Sequence, residues 1–122
     1  MARFEDSLLQ RLDRADEVQV RTRRADGSSV DLPIWIVTVD GEPFVRSFRA
    51  ERGAWYRRAR EEGRLTLVAG QRVDAVVEHE DDPELNRRIS EAFTAKYGTG
   101  GPARAMVSPP VAATTLRLVP PP

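Results

Sequence analysis

The chain has 122 residues and a mass of 13.7 kDa, one domain's worth of sequence. That length excludes a TIM barrel, which needs about 250 residues, and a dinucleotide-binding domain joined to a second substrate domain. Nineteen basic residues balance nineteen acidic ones. The basic excess of a general nucleic-acid binder is absent, and nucleic acid is not an expected partner. There is no cysteine and one histidine, His79, which excludes disulfides, thiolate metal sites and multi-histidine metal centres. No apolar run approaches the ~20 residues of a membrane-crossing helix, and residues 1–12 lack the apolar stretch of a signal peptide. The expectation is a cytoplasmic protein without membrane contact, folded as a single domain over residues 1–122.

Phe4, Leu8 and Leu12 recur every four residues, so residues 1–15 read as an amphipathic N-terminal helix. Val18, Val20 and Thr22 then alternate with polar residues, the period of a strand. Asp26-Gly27 is a hairpin signal. Residues Val30–Val39 form one long β-rich run. Pro33 inside it requires an edge strand or a bulge. Asp40-Gly41 is a second hairpin turn, and Phe44–Phe48 a third strand. Gly53–Glu62 reads as a short helix stopped by Gly63. Two strands follow, Leu65–Ala69 and one carrying Val73, Ala75 and Val77.

Asp82 caps the clearest helix, with Pro83 at its first position. Leu85, Ile89, Ala92 and Phe93 form its apolar stripe, and Gly98 ends it. Residues 99–110 read as a loop because of their glycines and prolines. Val111–Val119 returns to strand composition, and residues 120–122 are a proline tail. Without a regular βαβ rhythm, this order predicts a mainly β protein: a six-stranded antiparallel barrel with two or three helices.

The stretch with the most chemistry runs from residue 46 to 64. It holds seven arginines (46, 49, 52, 57, 58, 60 and 64) against Glu51, Glu61 and Glu62. Arg46, Ser47, Arg49 and Arg52 stand where a strand hands over to a helix N-terminus. Free first-turn amides and the helix dipole favour an anion there, and guanidinium forks suit phosphate. A solvated charged turn is the competing reading. Trp35 and Trp55 serve either as core or as walls for a planar ring. Tyr97, at a helix end, is either a core plug or a phenol at a cavity mouth able to donate a hydrogen bond to a substrate. His79 reads as a surface residue. The acidic run Glu78–Glu84 reads as helix capping and solvated surface.

These residues resemble the FMN-binding split-barrel superfamily over about residues 18–119. The pattern is similar to that of small deazaflavin-dependent nitroreductases. It is carried by Thr22-Arg-Arg-Ala-Asp-Gly27, by Pro33-Ile-Trp-Ile36, by Ser47 closing a strand, by the basic turn Arg49 to Gly53, by Trp55-Tyr56 opening a helix, by Leu65-Thr-Leu67, and by a later helix ending in Tyr97. Val45-Arg-Ser-Phe-Arg49 and Gly53-Ala-Trp-Tyr-Arg57 also resemble segments of an uncharacterised bacterial family.

The resemblance implies a six-stranded split barrel that binds FMN or a deazaflavin, often as a homodimer with its sites at the interface. Ser47, Arg49 and Arg52 would hold the cofactor phosphate, with Arg58 assisting. Pro33, Trp35 and Arg46 would lie near the ring, and Trp55 would pack below the phosphate turn. The expected function is an oxidoreductase moving a hydride between cofactor and a small organic substrate, with Tyr97 as the catalytic side chain. A non-catalytic carrier of a planar ligand is an alternative. So is a cofactor-free enzyme gripping an anionic substrate with the arginine-rich turn.

Overall fold

The computed structural model describes residues 3–122. Helix α1 (Asp6–Arg14) leads into strands β1 (Val18–Arg23), β2 (Ser29–Ile34), β3 (Val37–Val39) and β4 (Glu42–Val45). A 3₁₀ turn (Ala50–Arg52) precedes α2 (Ala54–Glu62). Strands β5 (Arg64–Val68) and β6 (Arg72–His79) follow, then α3 (Pro83–Tyr97), α4 (Gly101–Met106), α5 (Pro109–Ala112) and β7 (Leu116–Val119).

All seven strands form one antiparallel sheet in the order β2-β1-β5-β6-β7-β4-β3. The two edge strands, β2 and β3, are joined through only Trp35 and Ile36. So short a link can connect opposite edges only if the sheet curls until they approach. The result is a split β-barrel.

The strand count differs from the six expected because the run from residue 30 to 39 is two strands, bent at Trp35–Ile36. Pro33 is tolerated because β2 is an edge. The strand expected over Phe44–Phe48 stops at Val45, where the chain turns into the functional segment described below. The described residues hold five α-helices rather than two or three. The surplus lies at residues 101–106, inside the segment read as loop, and at 109–112, which spans the end of that loop and the start of the expected strand. In both, proline occupies the first helical turn, where its missing N–H costs nothing. The second of them takes up Val111 and Ala112 of the segment expected as strand, which begins only at Leu116.

Period-two alternation sets the register. Val18, Val20 and Thr22 of β1 point inward and are buried, while Gln19, Arg21 and Arg23 do not. Asp40 and Gly41 both have positive φ, as a two-residue turn matching the twist of β3 and β4 requires. Asp82 Oδ2 accepts from the Leu85 amide at 2.8 Å to start α3.

The core has two parts. One fills the barrel and includes Leu12, Val20, Ile36, Trp55, Leu67 and Leu118. The other lies between β3–β4 and the later helices and includes Val37, Phe44, Ile89, Phe93, Met106 and Val111. Burying each such side chain contributes about 1.5–3 kcal/mol. No helix among the described residues is long and apolar enough to cross a membrane.

Candidate functional site

The end of β4 leads directly into the site. Ser47 is buried, and its amide donates to Thr114 Oγ1 at 2.9 Å. The chain then turns sharply: the Ala50 amide donates to the Ser47 carbonyl at 2.9 Å and the Gly53 amide to the Ala50 carbonyl at 3.2 Å. Ala50 has φ +56°, a left-handed conformation that costs an L-residue about 1–2 kcal/mol. Strain of this kind concentrates at ligand-binding turns. Gly53 is required by close approach, since a Cβ there would run into Ser47 Oγ.

Helix α2 then begins at Gly53 with no side-chain cap. Its first intrahelical bond is from the Arg57 amide to the Gly53 carbonyl, so its first-turn amides have no carbonyl within the helix.

A cavity of about 520 Å³ opens between this turn, the inner side of β2, the start of α2 and helix α4. Pro33, Trp35, Arg46, Ser47, Arg49, Arg52, Trp55 and Arg58, brought out by the sequence, all line it. They come from β2, the β2–β3 bend, the end of β4, the turn and α2, and only the fold brings them together.

Their states differ. Arg49 and Arg52 are exposed, and neither has an ion-pair partner among the described residues. Arg58 is half-buried and its Nε donates to Thr22 Oγ1 at 2.9 Å. Trp55 is buried, edge-on to Tyr56. Ser47 Oγ is buried without any hydrogen-bond partner, a state that costs about 1–3 kcal/mol.

Arg46 is 1 % exposed. Its Nε donates to Thr115 Oγ1, its Nη1 to Ser90 Oγ and the Met106 carbonyl, and its Nη2 to the Asn86 carbonyl and Oδ1, all within 2.8–3.3 Å. These five bonds use every donor of the guanidinium, so the expected hydrogen bonding toward a ligand has no donor left to make it. Burial pushes its pKa down to about 10, and it stays charged at neutral pH.

Tyr97 is not on the cavity wall. Its ring stacks on Trp35 at 4.1 Å with planes 2° apart. Its hydroxyl accepts from the Ile36 amide at 3.1 Å and lies 3.2 Å from the Ile36 carbonyl, to which it donates. Burial raises its pKa. The phenol therefore holds the β2–β3 bend and backs the Trp35 wall. His79 is also elsewhere, with Nε2 2.8 Å from the Ala113 carbonyl.

Sequence reasoning missed several wall residues. Val30 and Leu32 share the inward register of β2 with Ile34, opposite Thr22, Val20 and Val18, so alternation offered a signal. Pro102 and Met106 come from a helix hidden in a glycine- and proline-rich segment. Glu17, the one acidic wall residue, carried no motif. Phe48, 56 % exposed at the rim, enters the sequence reading as the end of a strand and within the segment Val45-Arg-Ser-Phe-Arg49, with no role at the site.

An orphaned hydroxyl, uncapped helix amides and two arginines without an ion-pair partner among the described residues meet the apolar Trp35, Leu32 and Val30 at this cavity, a set able to hold a phosphate-bearing planar ligand. The fold is shared with solved proteins. HutZ, the heme storage protein of Vibrio cholerae, superposes with a TM-score of 0.70 at 16% identity, over 98% of this chain and 92% of that one. A candidate pyridoxamine 5'-phosphate oxidase from Listeria innocua gives 0.68 at 13% identity, over 96% and 93%. An F420 reductase gives 0.54 at 13% identity, over 90% and 88%. No curated protein matches the sequence. Residues 8–118 match the uncharacterized proteins conserved in bacteria grouped as DUF2255, and the chain belongs to that family.

Proposed function

We propose that this protein binds FMN or a deazaflavin in the 520 Å³ cavity and acts as an oxidoreductase on a small organic substrate, in the manner of a nitroreductase or quinone reductase. The observation that carries the reading is Ser47 Oγ, a buried polar atom with no partner beside an uncapped helix start. In this reading Ser47, the first-turn amides of α2, Arg49 and Arg52 hold the phosphate, and Arg58 sits behind them. Pro33, Trp35 and Leu32 form the ring's bed, kept in place by the Tyr97 stack. The cofactor supplies the hydride chemistry when bound, and the protein supplies binding, orientation and exclusion of water.

A second copy of the chain belongs to the same reading. Leu32 and Phe48 are 44 % and 56 % exposed at the cavity rim, and a homodimer covering that rim would close it.

The test is titration of the purified protein with FMN and with the deazaflavin cofactor, following absorbance and fluorescence. Micromolar binding that is lost in Arg49→Ala supports the reading. A protein that ignores both cofactors sinks it.

A carrier of a planar ligand without turnover is the second reading, favoured by Tyr97 and His79 both standing off the wall. A haem would find no imidazole there. Turnover of a nitroaromatic or quinone by the cofactor-loaded protein separates the two.

A further inference from the structure

The phosphate reading leaves Arg46 unexplained. Removing a guanidinium from water is costly, and an opposite charge usually offsets it. Here none does: no carboxylate lies within 4.0 Å of it among the described residues. The groups packed on it are neutral. Asn86 and Ser90 come from α3, the Met106 carbonyl from the end of α4, and Thr115 from the approach to β7. The face of Phe93 lies 5.4 Å from its Cζ. Five bonds fix the cation in place and leave its charge unanswered, behind the stretch of cavity wall to which Arg46 and Met106 belong.

We infer that Arg46 acts on the bound ring through its charge alone, selecting the ring's anionic, deprotonated form over the neutral one. This inference rests on the cofactor reading above. The other charges on the wall do not cancel the effect. Arg49 and Arg52 face the phosphate end and are answered by the phosphate itself. Arg58 is held at Thr22. Glu17, the one carboxylate on the wall, is exposed, and water screens it. An uncompensated cation in a poorly hydrated wall is worth more than the same charge in water. An opposite charge nearby lowers the pKa of an ionisable group. A donor-saturated arginine is suited to this role because it cannot swing out to pair with solvent anions when the cavity is empty.

The experiment uses the whole protein loaded with FMN, or with the deazaflavin cofactor if FMN does not bind. The FMN complex is reduced anaerobically, and the ring proton is followed by absorbance as a function of pH, beside free reduced FMN. The deazaflavin complex is titrated oxidised. The ring in the wild-type complex is expected to lose its proton at least about one pH unit below the free cofactor, a tenfold shift in the equilibrium. Arg46→Lys keeps a charge and should retain part of the shift. Arg46→Gln should abolish it while still binding the phosphate. If Arg46→Gln does not fold, Arg46→Met, which keeps the side chain's length without its charge, is read in its place and should likewise abolish the shift. A bound ring that titrates like the free one overturns the inference and leaves the cofactor reading standing, as does a shift that persists in Arg46→Gln. Failure of both cofactors to bind overturns both.

Discussion

The outer face of the sheet and the cavity wall use the same residue type in opposite ways. On the outer face Arg21 grips Asp31 through two bonds of 2.8 and 2.9 Å, and Thr66 donates to Asp74 at 2.8 Å. On α3, Arg87 pairs with Glu84 and Glu91, and Arg88 with Asp40. On the wall, among the described residues, Arg46 has no acid, Arg49 and Arg52 have no ion-pair partner, and Ser47 Oγ has no hydrogen-bond partner. Exposed ion pairs are worth about 0–1 kcal/mol each, so the first set adds little to stability. In the second set the buried, unpartnered Ser47 Oγ removes stability from the empty protein. Unanswered polarity gathered in one cavity, in a chain that answers many of its other charges, is what a binding site looks like before its ligand arrives.

The contrast can be broken or sharpened by substitution. Phe93 serves the core and the wall at once, because it is 1 % exposed and lies against Arg46. Phe93→Ala should destabilise the fold by about 3–5 kcal/mol; a denaturant midpoint that barely moves would mean α3 is not docked as described. Ser47→Ala should separate site from fold by sign. Cofactor affinity should fall by about 1.5–3 kcal/mol, the scale of a hydrogen bond to a charged group, while the empty protein is as stable as wild type or more so. Calorimetric binding and thermal melts on one preparation read both.

Arg49→Ala and Arg52→Ala should each weaken binding by about 1–3 kcal/mol and leave the melting temperature of the empty protein unchanged. A fall in that temperature would reveal a structural partner. Asp82→Ala removes the cap of α3 and should cost about 1 kcal/mol, with no change in affinity. The smallest effect belongs to the outer charges. Hydrogen bonds from Arg21, Arg88 and Arg87 hold Asp31, Asp40 and Glu84 below the usual carboxylate range. Each then takes up protons less readily when folded than unfolded. Their contribution is present above the ordinary carboxylate pKa and is lost as pH falls through the folded value. Urea midpoints between pH 5 and pH 2 should show a shallow loss that salt diminishes.

Local signals carried much of this structure. The alternation of Val18, Val20 and Thr22, the Asp40-Gly41 turn, the Asp82-Pro83 start and the Gly63 stop are contained in a few consecutive residues each, and the structure follows them. The basic turn before α2 was legible from Arg49 to Gly53, with a solvated charged turn as the competing reading, but the strand ahead of it ends at Val45 and not at Phe48. What could not be read depends on distant partners. The saturation of Arg46 is made by residues 40 to 69 positions away. The bend at Trp35–Ile36 is set by Tyr97, 61 positions on, against local β-propensity that favours one long strand. Helices α4 and α5 were hidden because proline reads as a breaker unless it is known to sit in the first turn.

The Trp35–Ile36 bend has a consequence for how the molecule opens. The Ile36 amide is held by a side chain, the Tyr97 hydroxyl, and not by a neighbouring strand. Lys96 Nζ adds a bond of 2.7 Å to the Ile36 carbonyl. Amide exchange at Ile36 therefore reports on the last turn of α3 rather than on the sheet. If that turn frays, the seam between the sheet's two edges loosens and the Trp35 wall loses its backing in the same event. Exchange at one backbone position, measured with and without ligand, would follow the breathing of the seam in solution.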